Sequence, residues 1–187
     1  MAERQATVEE WTYERLLELP EEEYPRRYEI IDGVLHELPT PSMRHAGAKT
    51  HIAYTLHVTV RARGGQAFIA PVDVLLSSRA RPVQPDVIVL LPEHLDQMRD
   101  AFVEGPPDIV VEVLSPNDPK RDRVLKREVY AAGGVPEYWL VSPEAGTVEV
   151  LVLDGGAYRT HVRAGGDETV SSTVLPELSF PASDVFE

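Results

Sequence analysis

Glu112 stands in the middle of an apolar run, 108-DIVVEVLSP-116, with Ile109, Val110, Val111, Val113 and Leu114 around it. A carboxylate buried in such a run costs several kcal/mol unless it is paired or bound to a metal. A second apolar run, 85-PDVIVLL-91, carries Asp86 directly after Pro85. Two strands that each present one acid suggest a divalent-metal site. Oxygen ligands of this kind suit magnesium or manganese, and a backbone carbonyl such as that of Val113 often completes the set. A metal so held polarises a phosphoryl oxygen and supplies hydroxide for in-line attack. The plainer alternatives are an arginine partner or an outward position on an edge for Glu112. For Asp86 the alternative is a simple strand start after proline.

The elements that must position these acids are legible in the hydrophobic pattern. Period-two alternation puts Val110, Glu112 and Leu114 on one face of a strand over 108–114, apolar on both faces apart from Glu112, as in a central strand covered on both sides. Residues 7–20 read as a helix with Thr7 and Glu10 as a capping box. Residues 27–38 read as a hairpin turning at Asp32-Gly33. The longest helix is expected over 43–62, with Ile52, Ala53, Leu56 and Val60 as its apolar stripe. Extending that stripe backwards aims Lys49 and His45 at the same neighbour. Strands are expected at 67–76, 85–91 and 136–142, the first two adjacent, and a hairpin at 147–163. A helix capped by Asn117 or Asp118 runs to about Ala132. The apolar residues Val174, Leu175, Leu178 and Phe180 of the tail dock on the core. The order predicts a mixed α/β (α+β) domain with a central mixed sheet flanked by helices. One domain over 1–187 is expected: an N-terminal helix (1–25), a core (26–142), and a C-terminal hairpin with its tail (143–187).

Composition removes several function classes. The chain has 187 residues, 43% apolar and 26% charged, with no cysteine. Thiolate metal sites, cysteine nucleophiles and disulfides are therefore excluded. No apolar stretch reaches the roughly 20 residues of a membrane helix, and the first residues lack a signal core; a cytoplasmic protein with no membrane partner is the expectation. A net charge of −13 argues against a general nucleic-acid coat, though not against a nuclease with locally concentrated basic residues. Phosphate-binding loops of the GxxxxGK[ST] type, GxSxG elbows, GxGxxG turns and HExxH helices are all missing.

The proline–aspartate pair followed by a strand glutamate resembles the PD-(D/E)XK nuclease superfamily. The closer likeness is to the Uma-two branch of bacterial restriction-endonuclease-like proteins. It rests on 27-RYEIIDG-33, His45 opening a helix, 83-VQPDV-87, 107-PDIVVEVLSP-116, Lys126 with Tyr130, and 134-GVPEYWLV-141. The resemblance spans about residues 26–142. It implies a restriction-endonuclease-like core, magnesium or manganese, and cleavage of DNA phosphodiesters. Asp86 and Glu112 match the two acidic positions, with the Val113 carbonyl as third metal ligand. It also implies a homodimer or higher homo-oligomer.

One departure stands out. The superfamily carries a lysine two residues beyond the glutamate, and Leu114 occupies that place. Of the chain's three lysines, Lys126 is the leading substitute, on one helix face with Asp122 and Tyr130; a solvated helix lysine is the alternative. Lys49 is second, and Lys120 belongs to an exposed first turn. Glu29 matches the family's YE pair as a third acidic candidate, or is an exposed hairpin residue. Gln84 and Asp73 can line the same pocket, and His45 either approaches it or caps its helix. The run 120-KRDRVLKR-127, with five basic residues, either holds a phosphate backbone or is an ordinary charged face. Two rival functions stand beside the nuclease: a catalytically silent binding or assembly module of the same fold, and a hydrolase of another phosphate ester.

Overall fold

The computed structural model describes residues 10–20, 28–77, 79–115 and 121–187. A short helix α1 (Tyr13–Leu17) is capped by Thr12, whose side chain accepts from the Arg15 amide. It is shorter than the sequence pattern predicts, and Thr7 falls outside the described residues. The hairpin forms as expected from β1 (Tyr28–Ile31) and β2 (Val34–Glu37). Asp32 and Gly33 both take positive φ (50° and 73°) at its two-residue turn, the backbone that Asp-Gly supplies most cheaply.

Helix α2 (Met43–Ala62) begins at Ser42, whose hydroxyl accepts from the His45 amide. Ile52, Ala53, Leu56 and Val60 are buried as one stripe. The helix stops at Gly64, which takes φ +87°. The next residue, Gly65, lies so close to the end of the neighbouring strand that a Cβ would come within 2.5 Å of the Leu90 carbonyl oxygen.

The single strand expected over 67–76 is two. The first, β3 (Gln66–Ile69), and the second, β4 (Asp73–Leu75), belong to different sheets. Pro71 lies between them, and proline cannot donate to a ladder. Strand β5 (Val87–Leu90) pairs antiparallel with β3. A 3₁₀ turn (Pro92–Gln97) then leads to β6 (Phe102–Glu104), which pairs parallel with β4.

Strand β7 (Ile109–Val113) is central, antiparallel to β5 and parallel to β8 (Glu137–Ser142). The crossover from β7 to β8 holds a π-helical turn (Arg121–Lys126) that passes directly into α3 (Arg127–Gly133). The expected caps Asn117 and Asp118 lie outside the described residues. Strands β9 (Thr147–Asp154) and β10 (Ala157–Gly165) extend the sheet to six strands in the order β10-β9-β8-β7-β5-β3. A further pair, β11 (Thr169–Ser171) with β12 (Ser179–Pro181), is an addition that the sequence pattern did not show.

The mixed α/β expectation holds: the six-stranded sheet has a core on each face. On one, Ile52, Leu56 and Val60 of α2 pack with Val111, Val113, Trp139 and the tail residues Leu175 and Leu178. On the other, Val129 and Tyr130 of α3 pack with Val110, Leu114, Tyr138 and Leu140. Alternate residues of β7 therefore serve opposite cores, and Glu112 is the one charged side chain of that strand. No helix among the described residues is long and apolar enough to cross a membrane.

Leu56 is fully buried. Leu56→Ala is expected to lower unfolding free energy by about 2–5 kcal/mol, whereas Thr50→Ala on the exposed side of the same helix changes it by no more than about 0.5 kcal/mol. Urea titrations of both variants check the placement of α2; equal losses would contradict it.

Candidate functional site

The antiparallel register of β5 and β7 pairs Val87 with Val111. The next step of that register brings Asp86 level with Glu112. Asp86 Oδ2 accepts from the Val113 amide at 2.9 Å, which ties the acid of one strand to the residue after the acid of the other. Both acids are nearly inaccessible, at 7% and 4% exposure. They line one cavity of about 180 Å³ together with Val113, His45, Gln84, Arg121, Asp122 and Lys126.

Glu112 finds its partners on the crossover. Lys126 Nζ lies 2.7 Å from Glu112 Oε1, and the Tyr130 hydroxyl donates to the same oxygen at 2.6 Å. These two residues sit four apart on the crossover helix, so both reach one point. Lys126 Nζ is also 2.9 Å from Glu29 Oε1 and 3.8 Å from Asp122 Oδ1. Lys126 is thus a buried cation among three acids rather than a solvated helix lysine. Glu29 is fully buried rather than exposed on its hairpin. It accepts from the Gln84 amide at 2.9 Å and from the Arg121 guanidinium. Arg121 belongs to the site, yet the sequence reading counted it only within a basic run; its pairing with a residue 92 positions away left no local signal.

Asp86 is approached from α2, as the extended stripe predicted. His45 Nε2 lies 3.1 Å from Asp86 Oδ2, and Lys49 Nζ lies 3.8 Å from Oδ1. Gln84 Nε2 donates to Asp73 Oδ1 at 2.8 Å, and the Tyr13 hydroxyl donates to Asp73 Oδ2 at 3.1 Å. Asp73 therefore supports the site from behind. Gln84 Oε1 and His45 Nδ1 are buried without a hydrogen-bond partner.

The electrostatics divide the two acids. Burial pushes the Glu112 carboxyl up to about 8; Lys126 opposes the rise, while Asp122, Glu29 and Asp86 add to it. Burial acts the same way on Asp86, but the hydrogen bond and charge of His45 and the Val113 amide outweigh it, so Asp86 lies below the usual range. Burial works against the charge of Lys126; Glu112, Glu29 and Asp122 more than offset it and raise its pKa. Burial also raises Asp122, again against the pull of Lys126.

Other residues lie elsewhere than expected or in quieter roles. Leu114 is buried in the apolar cluster beside Val110, so the usual lysine position is part of the core. Arg123 pairs with Glu149 at 3.3 Å and Arg127 donates to the Tyr158 carbonyl at 2.8 Å. Neither belongs to the cavity lining. Lys120 is outside the described residues. Among the described residues no three His, Asp or Glu side chains form a metal-ligand cluster.

Glu112 contributes to the pH response of stability. Its carboxyl titrates near 4.5 when unperturbed and near 8 here. Between those values the native state binds more protons than the unfolded chain, so this group's contribution falls as pH rises from about 4.5 to about 8. Glu112→Gln is expected to flatten that decline in urea titrations at about pH 5 and about pH 8; an unchanged slope would contradict the assignment. Lys126→Met leaves three buried acids without their shared cation. It is expected to cost about 3–5 kcal/mol at neutral pH, and less in acid.

The fold matches that of a known protein. A solved structure titled a putative nuclease belonging to DUF820, from Anabaena variabilis, superposes with a TM-score of 0.75. It is 21% identical, and the match covers 94% of this chain and 97% of that one. At that identity the likeness shows a shared nuclease-like fold. No match was found among curated proteins. Residues 13–183 match the Uma2 family, described as "Putative restriction endonuclease", a span that contains Asp86, Glu112, Lys126 and Glu29. The chain belongs to the Uma2 restriction-endonuclease family.

Proposed function

We propose that the protein is a DNA endonuclease that uses magnesium or manganese to hydrolyse phosphodiester bonds. The observation that carries this reading is the meeting of Asp86 and Glu112, from adjacent strands, in one cavity with the Lys126 ammonium against Glu112. Asp86, Glu112 and the Val113 carbonyl would hold the metal, whose chemistry is to polarise a phosphoryl oxygen and lower the pKa of a bound water. The buried, unpartnered Gln84 Oε1 supports a ligand in this space, since such an acceptor is costly when left alone.

The chain's own residues have distinct tasks in this reading. Lys126 stays protonated, so it acts as a fixed positive charge rather than as a base. It orients Glu112 through Oε1 and offers its charge to a phosphate in the cavity, in place of the lysine that Leu114 replaces. Arg121 and Lys126 both pair with the Glu29 carboxylate and fix it beside the site. His45 fixes one Asp86 oxygen, with help from the Val113 amide. A homodimer or higher homo-oligomer is the assembly expected where both strands of a duplex are cut.

The second reading, a nuclease-fold module that binds without cleaving, is favoured by one observation. Lys126 is engaged by three acids, so less of its charge is available to a substrate.

Plasmid and single-stranded DNA incubated with Mg²⁺ or Mn²⁺ separate the readings. The wild type is expected to cleave. Asp86→Ala, Glu112→Ala and Lys126→Ala should each reduce the rate by at least about a hundredfold. Activity that survives both acid substitutions would reject this site. Binding of DNA and metal without cleavage would favour the module.

A further inference from the structure

Helix α2 has no aspartate or glutamate between Met43 and Ala62, in a chain with 31 acidic residues against 18 lysines and arginines. Its inner face carries His45 and Lys49 to Asp86. Its outer face exposes Arg44, His51, Tyr54, His57, Val58 and Arg61. Tyr54 is 71% exposed. Residues 51, 54, 58 and 61 follow one another by three or four positions and so form a single stripe. Among the described residues Arg44 pairs with Glu144 at 3.5 Å, and no ion pair engages His51, His57 or Arg61. The helix starts at the cavity, which its cap residue Ser42 and inner-face His45 line, while Arg44 at the head of the stripe lies one residue round the helix, beside a separate hollow with Met43 and Gly47. From Arg44 to Arg61 the stripe runs about 25 Å at a rise of about 1.5 Å per residue.

We propose that this stripe seats the single-stranded DNA that flanks the phosphate held in the cavity. The inference rests on the endonuclease reading and adds the form of its substrate. An exposed tyrosine ring offers a stacking platform to a base, and only an unpaired base has a face to give it. Arg44 and Arg61 meet phosphates at either end of the stripe. The chain's net charge of −13 disfavours the strand elsewhere, so charge favours the acid-free helix. The length suits about seven nucleotides at about 3.4 Å each.

Fluorescence anisotropy in EDTA with labelled single strands of about four and about twenty nucleotides, and a duplex of the longer sequence, tests the surface apart from cleavage. Wild type is expected to bind the long strand at least about tenfold more tightly than the short strand or the duplex. Tyr54→Ala should weaken the long strand by about tenfold. Arg61→Ala should reduce the logarithmic salt dependence by about 0.7. Both exposed substitutions should leave the melting temperature and the cleavage of the short strand unchanged. Equal binding by wild type and variants, or no preference over duplex, overturns the surface. A shift from dimer to monomer in sedimentation, with DNA binding unaltered, assigns the stripe to a second copy and also overturns it. Variants that lose binding while the wild type cleaves nothing would keep the surface and end the endonuclease reading. Cleavage with unaltered variant binding would do the reverse.

Discussion

The structure depends on one buried ion cluster, in which the Lys126 ammonium sits between Glu112 and Glu29. A carboxylate at the centre of an apolar sheet is tolerable only with a partner as deeply buried as itself. That requirement fixes much else. The π-helical turn must bring Lys126 under β7, the hairpin must bring Glu29 to the same point, and Arg121 must balance the second acid. Three chain segments far apart in sequence are thereby joined by charge rather than by apolar packing. Burial, together with the neighbouring acids Asp122, Glu29 and Asp86, also raises the Glu112 carboxyl against the pull of Lys126.

Around that cluster the two cores divide the labour. The α2 side is apolar along Ile52, Leu56 and Val60 and turns polar where His45 and Lys49 reach Asp86 and where the buried Glu137 bonds Trp139. The α3 side is aromatic, and its Tyr130 ring spans from the core to the Glu112 carboxylate. Asp86, low in pKa, and Glu112, high in pKa, thus occupy one cavity under different local fields. Pairs of acids pushed apart in this way are a recurrent mark of functional sites.

Much of this was legible in the sequence because periodicity survives in local runs. The stripe of α2 predicted both its bounds and the inward aim of His45 and Lys49. The isolated charge of Glu112 in an apolar strand marked the site, and the helix face shared by Asp122, Lys126 and Tyr130 named its partners. Other parts depend on contacts between distant segments. The alternation around Glu29 could not show that Arg121 and Lys126 would bury it. The split at Pro71 was hidden because apolar residues continue on both sides of it. The segment between β11 and β12 is tied down by the fully buried Glu137, which accepts from Ser172 and Thr173 as well as from Trp139, a network that no nearby spacing announces. Family membership supports the nuclease reading of these residues, and the chemistry of the two acids gives it content.

Calorimetric titration of Mn²⁺ into the purified protein above about pH 8, beside Asp86→Asn and Glu112→Gln, tests whether the two acids share a cation. The account predicts one saturable site per chain in the wild type and none in either variant. A wild type that takes up no ion, or variants that bind it as well as the wild type, would contradict it.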